Sequence, residues 1–179
     1  MKIMVASDLH GSSYYVKKLI DCFKEEKASL LVLLGDILYH GPRNDLPLEY
    51  NPKLCVSMLN DIKDQIICVK GNCDSEVDEM VLDFPILKES SLVFGNKIIY
   101  FTHGHIHNPE NPLNAPKGSV VFYGHFHIPK YSDVNGVLYV NPGSTSIPKL
   151  DDIRSYAIID HQQITVKTLE KEVVLDISY

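Results

Sequence analysis

The feature that most constrains this chain is the stretch from Leu30 to Asp36, where Leu30, Leu31, Val32, Leu33 and Leu34 run without interruption into Gly35 and a single carboxylate. A short continuous apolar run bounded by breakers reads as a strand buried on both faces, as in a parallel α/β sheet. Such a strand delivers Asp36 to its C-terminal edge, where α/β sheets gather ligands. Glycine before the carboxylate lets another group approach the backbone there.

The flanking sequence repeats the pattern. Lys2 to Ala6 reads as a buried strand ending in Ser7-Asp8-Leu9-His10-Gly11. A helix follows, capped by Ser12 or Ser13, with Val16, Leu19, Ile20 and Phe23 on its buried face and Lys17, Lys18, Lys24 and Glu25 opposite. Residues 37–51 are rich in breakers and carry His40 and Arg43; loops of this length in compact domains are usually functional. Asn51-Pro52 reads as an N-cap with proline at the first helical position, and Leu54, Cys55, Met58, Leu59 and Ile62 form the expected buried stripe. Ile66 to Val69 is a third buried strand, ending in Gly71-Asn72-Cys73-Asp74, with Asp74 placed to cap a following helix. Strand, helix, strand, helix, strand implies a parallel sheet with right-handed crossovers.

From Ser91 the character changes. Leu92–Phe94 and Ile98–Phe101 flank the turn signal Gly95-Asn96, and the second of these strands runs into Thr102-His103-Gly104-His105. Val120–Tyr123 runs into Gly124-His125-Phe126-His127. Val137–Val140 follows Asn135-Gly136 and ends in Asn141-Pro142-Gly143-Ser144. The tail reads as a closing hairpin, Tyr156–Ile159 with Ile164–Leu169, and a last strand over Val173–Ile177.

Length and charge bound the rest. At 179 residues the chain fits one domain over 1–179, without linker or repeat. A net charge of −6, with no basic run, argues against a grip on nucleic acid or anionic membrane. No signal peptide or membrane span is visible, and the four cysteines (Cys22, Cys55, Cys68, Cys73) lack CxxC spacing, so a cytoplasmic protein with reduced thiols is expected. Cys22, Cys55 and Cys68 fall in apolar patterns and read as buried and inert. Apolar residues on the tail's edge strands could support a homo-oligomer.

Five strands thus end in polar clusters that together supply Asp8, His10, Asp36, Asn72, His103, His125 and His127. A lone histidine beside an apolar strand is more often structural than a ligand. Repeated delivery of oxygen and imidazole donors to one sheet edge, each near glycine, is hard to explain by packing and points to a dinuclear metal site.

With these five blocks in order, the chain resembles the calcineurin-like metallophosphoesterase superfamily, and in its size, its Gly41-Pro42-Arg43-Asn44 loop and its Asn141-Pro142-Gly143-Ser144 block the small bacterial YfcE-type phosphodiesterases within it. The resemblance implies an α/β fold of four layers, αββα, in which two mixed β-sheets are flanked by helices. It puts Asp8, His10 and His127 on one divalent metal, Asn72, His103 and His125 on the other, and Asp36 across both. The donors suit Mn²⁺, Fe or Zn²⁺, with Ni²⁺ also admissible, and the resemblance favours manganese. It implies hydrolysis of a small-molecule phosphodiester by a hydroxide attacking phosphorus in line.

Two catalytic positions stand at Asn72, whose neutrality keeps the site electrophilic, and Cys73. Many superfamily members have at the latter position a histidine thought to protonate the leaving group. A thiol is a poorer proton shuttle, so substrates with good leaving groups, such as aryl diesters, are expected. Arg43, Cys73 and His105 are the candidates for contacting substrate, while His40, His107 and His161 read as loop residues. Other readings are a phosphomonoesterase or nucleotide phosphatase of the same superfamily, a nuclease, disfavoured by the acidic charge, and a non-catalytic scaffold of the same fold such as serves in a trafficking coat. The full donor set argues against the scaffold.

Overall fold

The computed structural model describes residues 1–161 and 163–179. In chain order the elements are β1 (Lys2–Ala6), α1 (Ser13–Glu25), β2 (Leu30–Leu33), α2 (Pro52–Asn60), β3 (Ile66–Val69), α3 (Glu76–Val81), β4 (Ile86–Leu87), β5 (Ser90–Phe94), β6 (Lys97–Thr102), β7 (Val120–Tyr123), β8 (Pro129–Val134), β9 (Val137–Pro142), β10 (Ser155–Asp160), β11 (Gln163–Thr168) and β12 (Val173–Ser178). They form two mixed sheets, a seven-stranded one in the order β12-β11-β10-β1-β2-β3-β4 and a five-stranded one in the order β5-β6-β7-β9-β8.

The continuous apolar runs are explained by burial on both faces. Alternate residues of β1 and β2 part ways: Met4, Ala6, Leu31 and Leu33 pack with Val16, Leu19 and Phe23 of α1, whereas Ile3, Val5 and Val32 pack against Ile99, Phe101, Val120 and Phe122 of the second sheet. β1, β2 and β3 pair in parallel, Val5 opposite Val32 and Leu33 opposite Cys68, so their C-terminal ends lie side by side. β10–β12 close the first sheet as antiparallel strands. β12 is its edge, with Val173 exposed.

Both predicted caps form: Ser12 Oγ accepts from the Tyr15 amide at 3.3 Å and Asn51 Oδ1 from the Leu54 amide at 3.2 Å. The expected α/β sandwich of two mixed sheets flanked by helices is present. The labelled helices all precede the second sheet in sequence, and the far face of that sheet, with Val121, Tyr123 and Tyr139, is covered by Leu113 and Ala115 of the irregular chain between β6 and β7. Three details differ from expectation. On α2 only Cys55 and Leu59 are fully buried, and Leu54 is exposed because the helix meets α1 along a narrower face. Ser75, not Asp74, caps α3. The polar clusters end strands of both sheets, not of one: β1, β2 and β3 belong to the first, β6 and β7 to the second.

Candidate metal centre

Because the two sheets pack face to face, Asp8, His10, Asp36 and Asn72 approach from one and His103, His125 and His127 from the other. Five of these residues, Asp8 (φ 56°), His10 (48°), Asp36 (55°), His125 (68°) and His127 (58°), hold left-handed backbone. That conformation costs a non-glycine residue of order 1–3 kcal/mol and clusters at functional sites. The loops interlock: a Cβ on Gly71 would collide with the Asp36 carboxylate, and one on Gly124 with Ser7 Oγ.

Each donor is oriented from behind. His10 Nδ1 donates to the Tyr39 carbonyl (2.8 Å), His103 Nδ1 to that of Leu34 (2.7 Å) and His127 Nδ1 to that of Ile147 (2.5 Å). A carbonyl only accepts, so each ring carries its proton on Nδ1 and turns the Nε2 lone pair inward. One oxygen of each carboxylate is likewise occupied: Asp8 Oδ2 accepts from Ser7 Oγ (2.6 Å) and the His125 amide (3.0 Å), and Asp36 Oδ1 from the Cys73 amide (2.8 Å). The other oxygens face the histidines. Asp8 Oδ1 lies 3.1 Å from His127 Nε2 and 3.6 Å from His10 Nε2; Asp36 Oδ2 lies 3.9 Å from His10 Nε2 and 3.5 Å from His103 Nε2. Asn72 Oδ1 stands 3.0 Å from His103 Nε2.

This arrangement tests whether a cation fits. His10 Nε2 and His127 Nε2 are only 3.3 Å apart, lone pair toward lone pair, and Asp8 Oδ1 is fully buried with no hydrogen-bond partner. Acceptors crowded in this way repel unless a positive charge lies among them, so the residues fit a metal ion. Burial alone would push the Asp8 carboxyl up, but the His10 and His127 imidazoles outweigh it and hold it well below the usual carboxylate range. Burial likewise opposes the charge on His10, and Asp8 outweighs it and raises the ring's pKa. His125, half-buried and next to His103, is lowered to about 4 by burial first and then by that neighbour.

Asp8, His10 and His127 offer donor atoms within 4.8 Å of one another, as do Asp8, Asp36 and His103, and His10, Asp36 and Cys73. His125 joins none of these groups through its ring, whose centre is 5.2 Å from that of His103. A cleft of about 500 Å³ opens above the cluster, with Arg43, Asn44, Cys73, Phe126 and Lys149 on its walls. Burial, then the Asp36 carboxylate, push the Cys73 thiol up to about 12. His105 is exposed and does not line the cleft, its ring centre 5.3 Å from that of His103.

Three features escaped the sequence reading. Asp74 is buried behind the site and its carboxylate accepts from the amides of Asp36 (2.8 Å), Ile37 (2.8 Å) and Gly71 (2.7 Å), fastening two donor loops together. The Asn141–Ser144 block braces two more: Ser144 Oγ donates to the Asp8 carbonyl (2.8 Å) and Asn141 Nδ2 to that of Gly124 (2.8 Å). Lys149 faces the cleft, where its only sequence signal was its place shortly after that block.

The profile of the calcineurin-like phosphoesterase superfamily domain matches residues 1–163. Phosphodiesterase YfcE of Escherichia coli strain K12 is 39% identical over 176 residues, covering 98% of this chain and 96% of YfcE. The solved structure of YfcE, described as a phosphoesterase from E. coli, matches with a TM-score of 0.96 over 99% of both chains. Probable metallophosphoesterase YsnB of Bacillus subtilis strain 168 is 28% identical over 89% of this chain and 83% of YsnB. Vps29 from Cryptosporidium parvum, 18% identical with a TM-score of 0.63 over 99% of this chain and 98% of that one, shares the fold. No helix among the described residues is long and apolar enough to cross a membrane.

Proposed function

The chain belongs to the calcineurin-like phosphoesterase superfamily, and from that premise we propose a phosphodiesterase that works with two divalent cations on small phosphodiesters. It is a hydrolase of phosphoric diesters, a reading supported by its identity with YfcE along nearly the whole chain. The observation that carries the metal dependence is the convergence of the His10 and His127 Nε2 lone pairs at 3.3 Å beside an unpartnered, buried Asp8 oxygen. Asp8, His10 and His127 would hold one cation and Asn72, His103 and His125 the other, with Asp36 between them; its Oδ2 already faces a histidine of each set. Manganese suits this mixed carboxylate, amide and imidazole set. When bound, the two cations supply Lewis acidity, ionising water near neutral pH for in-line attack on phosphorus and neutralising charge on the phosphoryl oxygens.

The chain's own groups do the rest. Nδ1 hydrogen bonds to backbone carbonyls lock three imidazoles in the donor tautomer. Arg43 and Lys149 on the cleft walls attract the anionic diester, and Arg43 can fork onto a non-bridging oxygen. Cys73 keeps its proton at neutral pH, held up by burial and by Asp36, so the site holds a weak acid where a leaving group must be protonated. That favours aryl diesters over substrates with basic leaving groups.

The test is hydrolysis of bis(p-nitrophenyl) phosphate and p-nitrophenyl phosphate by metal-stripped protein reloaded with Mn²⁺, alongside Asp36→Asn. The expected result is diester cleavage that requires metal, exceeds monoester cleavage and falls at least about a hundredfold in the variant. Metal binding without cleavage of either ester would overturn the reading in favour of a scaffold; faster monoester cleavage would make the protein a phosphomonoesterase.

A further inference from the structure

The cleft over the metal centre shares a wall with a second cavity. That cavity, of about 170 Å³, is lined by Pro109, Glu110, Tyr123 and Lys130 together with Phe126 and Ile128, and the last two also line the cleft. The backbone explains the divider. His125 and His127 are both left-handed, while Phe126 between them is 40% exposed at the rim. Tyr123, only 3% exposed, meets the Phe126 ring edge-on, 6.0 Å between centres at 75°, and backs it, so Phe126 is the ring that offers a face. Asn108 fixes the opposite lip: its Nδ2 donates to the Gly104 carbonyl (2.9 Å) and its Oδ1 accepts from the amides of Glu110 (2.9 Å) and Asn111 (3.2 Å).

Resting on the phosphodiesterase reading above, we propose that this cavity is a subsite for a nucleobase carried on the non-leaving arm of the diester. Its size admits a planar ring but not a whole nucleoside, which leaves the sugar to cross the Phe126–Ile128 divider toward a phosphate on the metal centre. The exposed Phe126 ring suits stacking, which every base offers. The rim carries one carboxylate and one ammonium, and neither is in an ion pair among the described residues. That pair matches a neutral ring whose edge has both donors and acceptors. A quaternary ammonium head group would gain Glu110 and the Phe126 ring but meet Lys130, and an anionic arm would meet Glu110.

The experiment compares two diesters with the same leaving group, p-nitrophenyl thymidine 5′-phosphate and methyl p-nitrophenyl phosphate, on the Mn²⁺-loaded full chain. The ratio of their kcat/KM values is read. A stacked base should raise it to about tenfold or more in favour of the nucleotide. Phe126→Ala should lower that ratio by about tenfold, and Glu110→Ala and Lys130→Ala by about three- to tenfold each. A second readout needs no catalysis: thymidine titrated into the metal-free chain should shift the ring NMR signals of Tyr123 and Phe126 saturably, and Glu110→Ala with Lys130→Ala should abolish the shift. A wild-type ratio near one, a ratio that none of the variants moves, or saturable shifts with choline but not thymidine would overturn the subsite. Should the wild type cleave neither diester, the phosphodiesterase reading falls, and the thymidine titration still decides the subsite.

Discussion

Replacing Asp74 with asparagine keeps the shape of the side chain and removes one acceptor from the joint that holds two donor loops together. Asp74 Oδ2 accepts from the Asp36 and Gly71 amides and Oδ1 from the Ile37 amide, all at 2.7–2.8 Å, in a residue only 7% exposed. The amide oxygen can keep the first pair, and Nδ2 then faces the Ile37 N–H, donor against donor. One charge-assisted bond is lost, about 1.5–3 kcal/mol, and a buried donor is left unpaired, about 1–3 kcal/mol. Part of this is offset. Burial pushes the Asp74 carboxyl up against the pull of the Ile37 and Gly71 amides, with the Asp36 charge adding to the rise. The folded state therefore disfavours the ionised form, and losing the charge is itself slightly stabilising. The net expectation is a loss of about 2–3 kcal/mol in urea unfolding. Calorimetric titration of Mn²⁺ into the metal-stripped variant should give an affinity lower by about tenfold, since groups behind metal ligands commonly contribute that much. A loss within about 1 kcal/mol, the typical worth of a helix cap, with unchanged Mn²⁺ affinity would refute the reasoning.

Two further expectations follow from individual side chains. Cys73→His, which sets an imidazole where a thiol pushed up to about 12 stands, should raise kcat on diesters with alkyl or weakly acidic aryl leaving groups and leave p-nitrophenyl esters nearly unchanged; a flat or lowered response across a leaving-group series would sink it. Glu26 joins α1 to three strands through Lys167 (2.7 Å), Tyr156 (3.2 Å) and Lys2 (3.5 Å). Burial pulls its carboxyl up, but these partners outweigh it and hold the pKa below the ordinary value. Its contribution is present above the unfolded-state pKa and lost as pH falls through the depressed one. Glu26→Gln should therefore cost about 1 kcal/mol at neutral pH, and the gap to wild type should close on acidification from about pH 5; a gap constant with pH contradicts it.

The fold was legible where burial is two-sided. β2, β3 and β7 are apolar throughout, and β1 from Ile3 onward, because one face meets helices or irregular chain and the other meets a second sheet. β8 was missed because it is an edge strand whose Lys130, Tyr131 and Ser132 carry no such run. α3, six residues with three acidic side chains, has no apolar stripe to mark it, and it was expected only through a cap that the structure assigns to Ser75. At the site, carboxylates and imidazoles beside glycine at strand ends were the signal, and they led to Asp8, His10, Asp36, His103 and His127, which the structure gathers in one cluster. Asp74 was misread because its partners Asp36 and Ile37 lie 38 and 37 positions away, and local spacing suggested a cap instead. Nor does any linear pattern reveal that two sheets, not one, contribute to the cluster.

That division between sheets bears on how the centre stays assembled. Five donor residues in left-handed backbone represent strain of order 1–3 kcal/mol apiece, and acceptors facing acceptors add to it. Neither can be relieved by a small shift within one sheet, because the sheets are locked together by the core they share, Ile3, Val5 and Val32 against Ile99, Phe101 and Phe122, and the loops touch across the gap. Hydrogen bonds from outside the donor set hold them there: Asp74 to the Asp36 loop, and Ser144 and Ser146 to the Asp8 carbonyl at 2.8 and 3.1 Å. A cation bound among such preplaced lone pairs would need little reorganisation, so its binding free energy would go into affinity and not into ordering loops. By the same logic Asp74, Ser144 and Ser146, which brace the loops from outside the cluster, should govern cation affinity nearly as strictly as the clustered donors themselves.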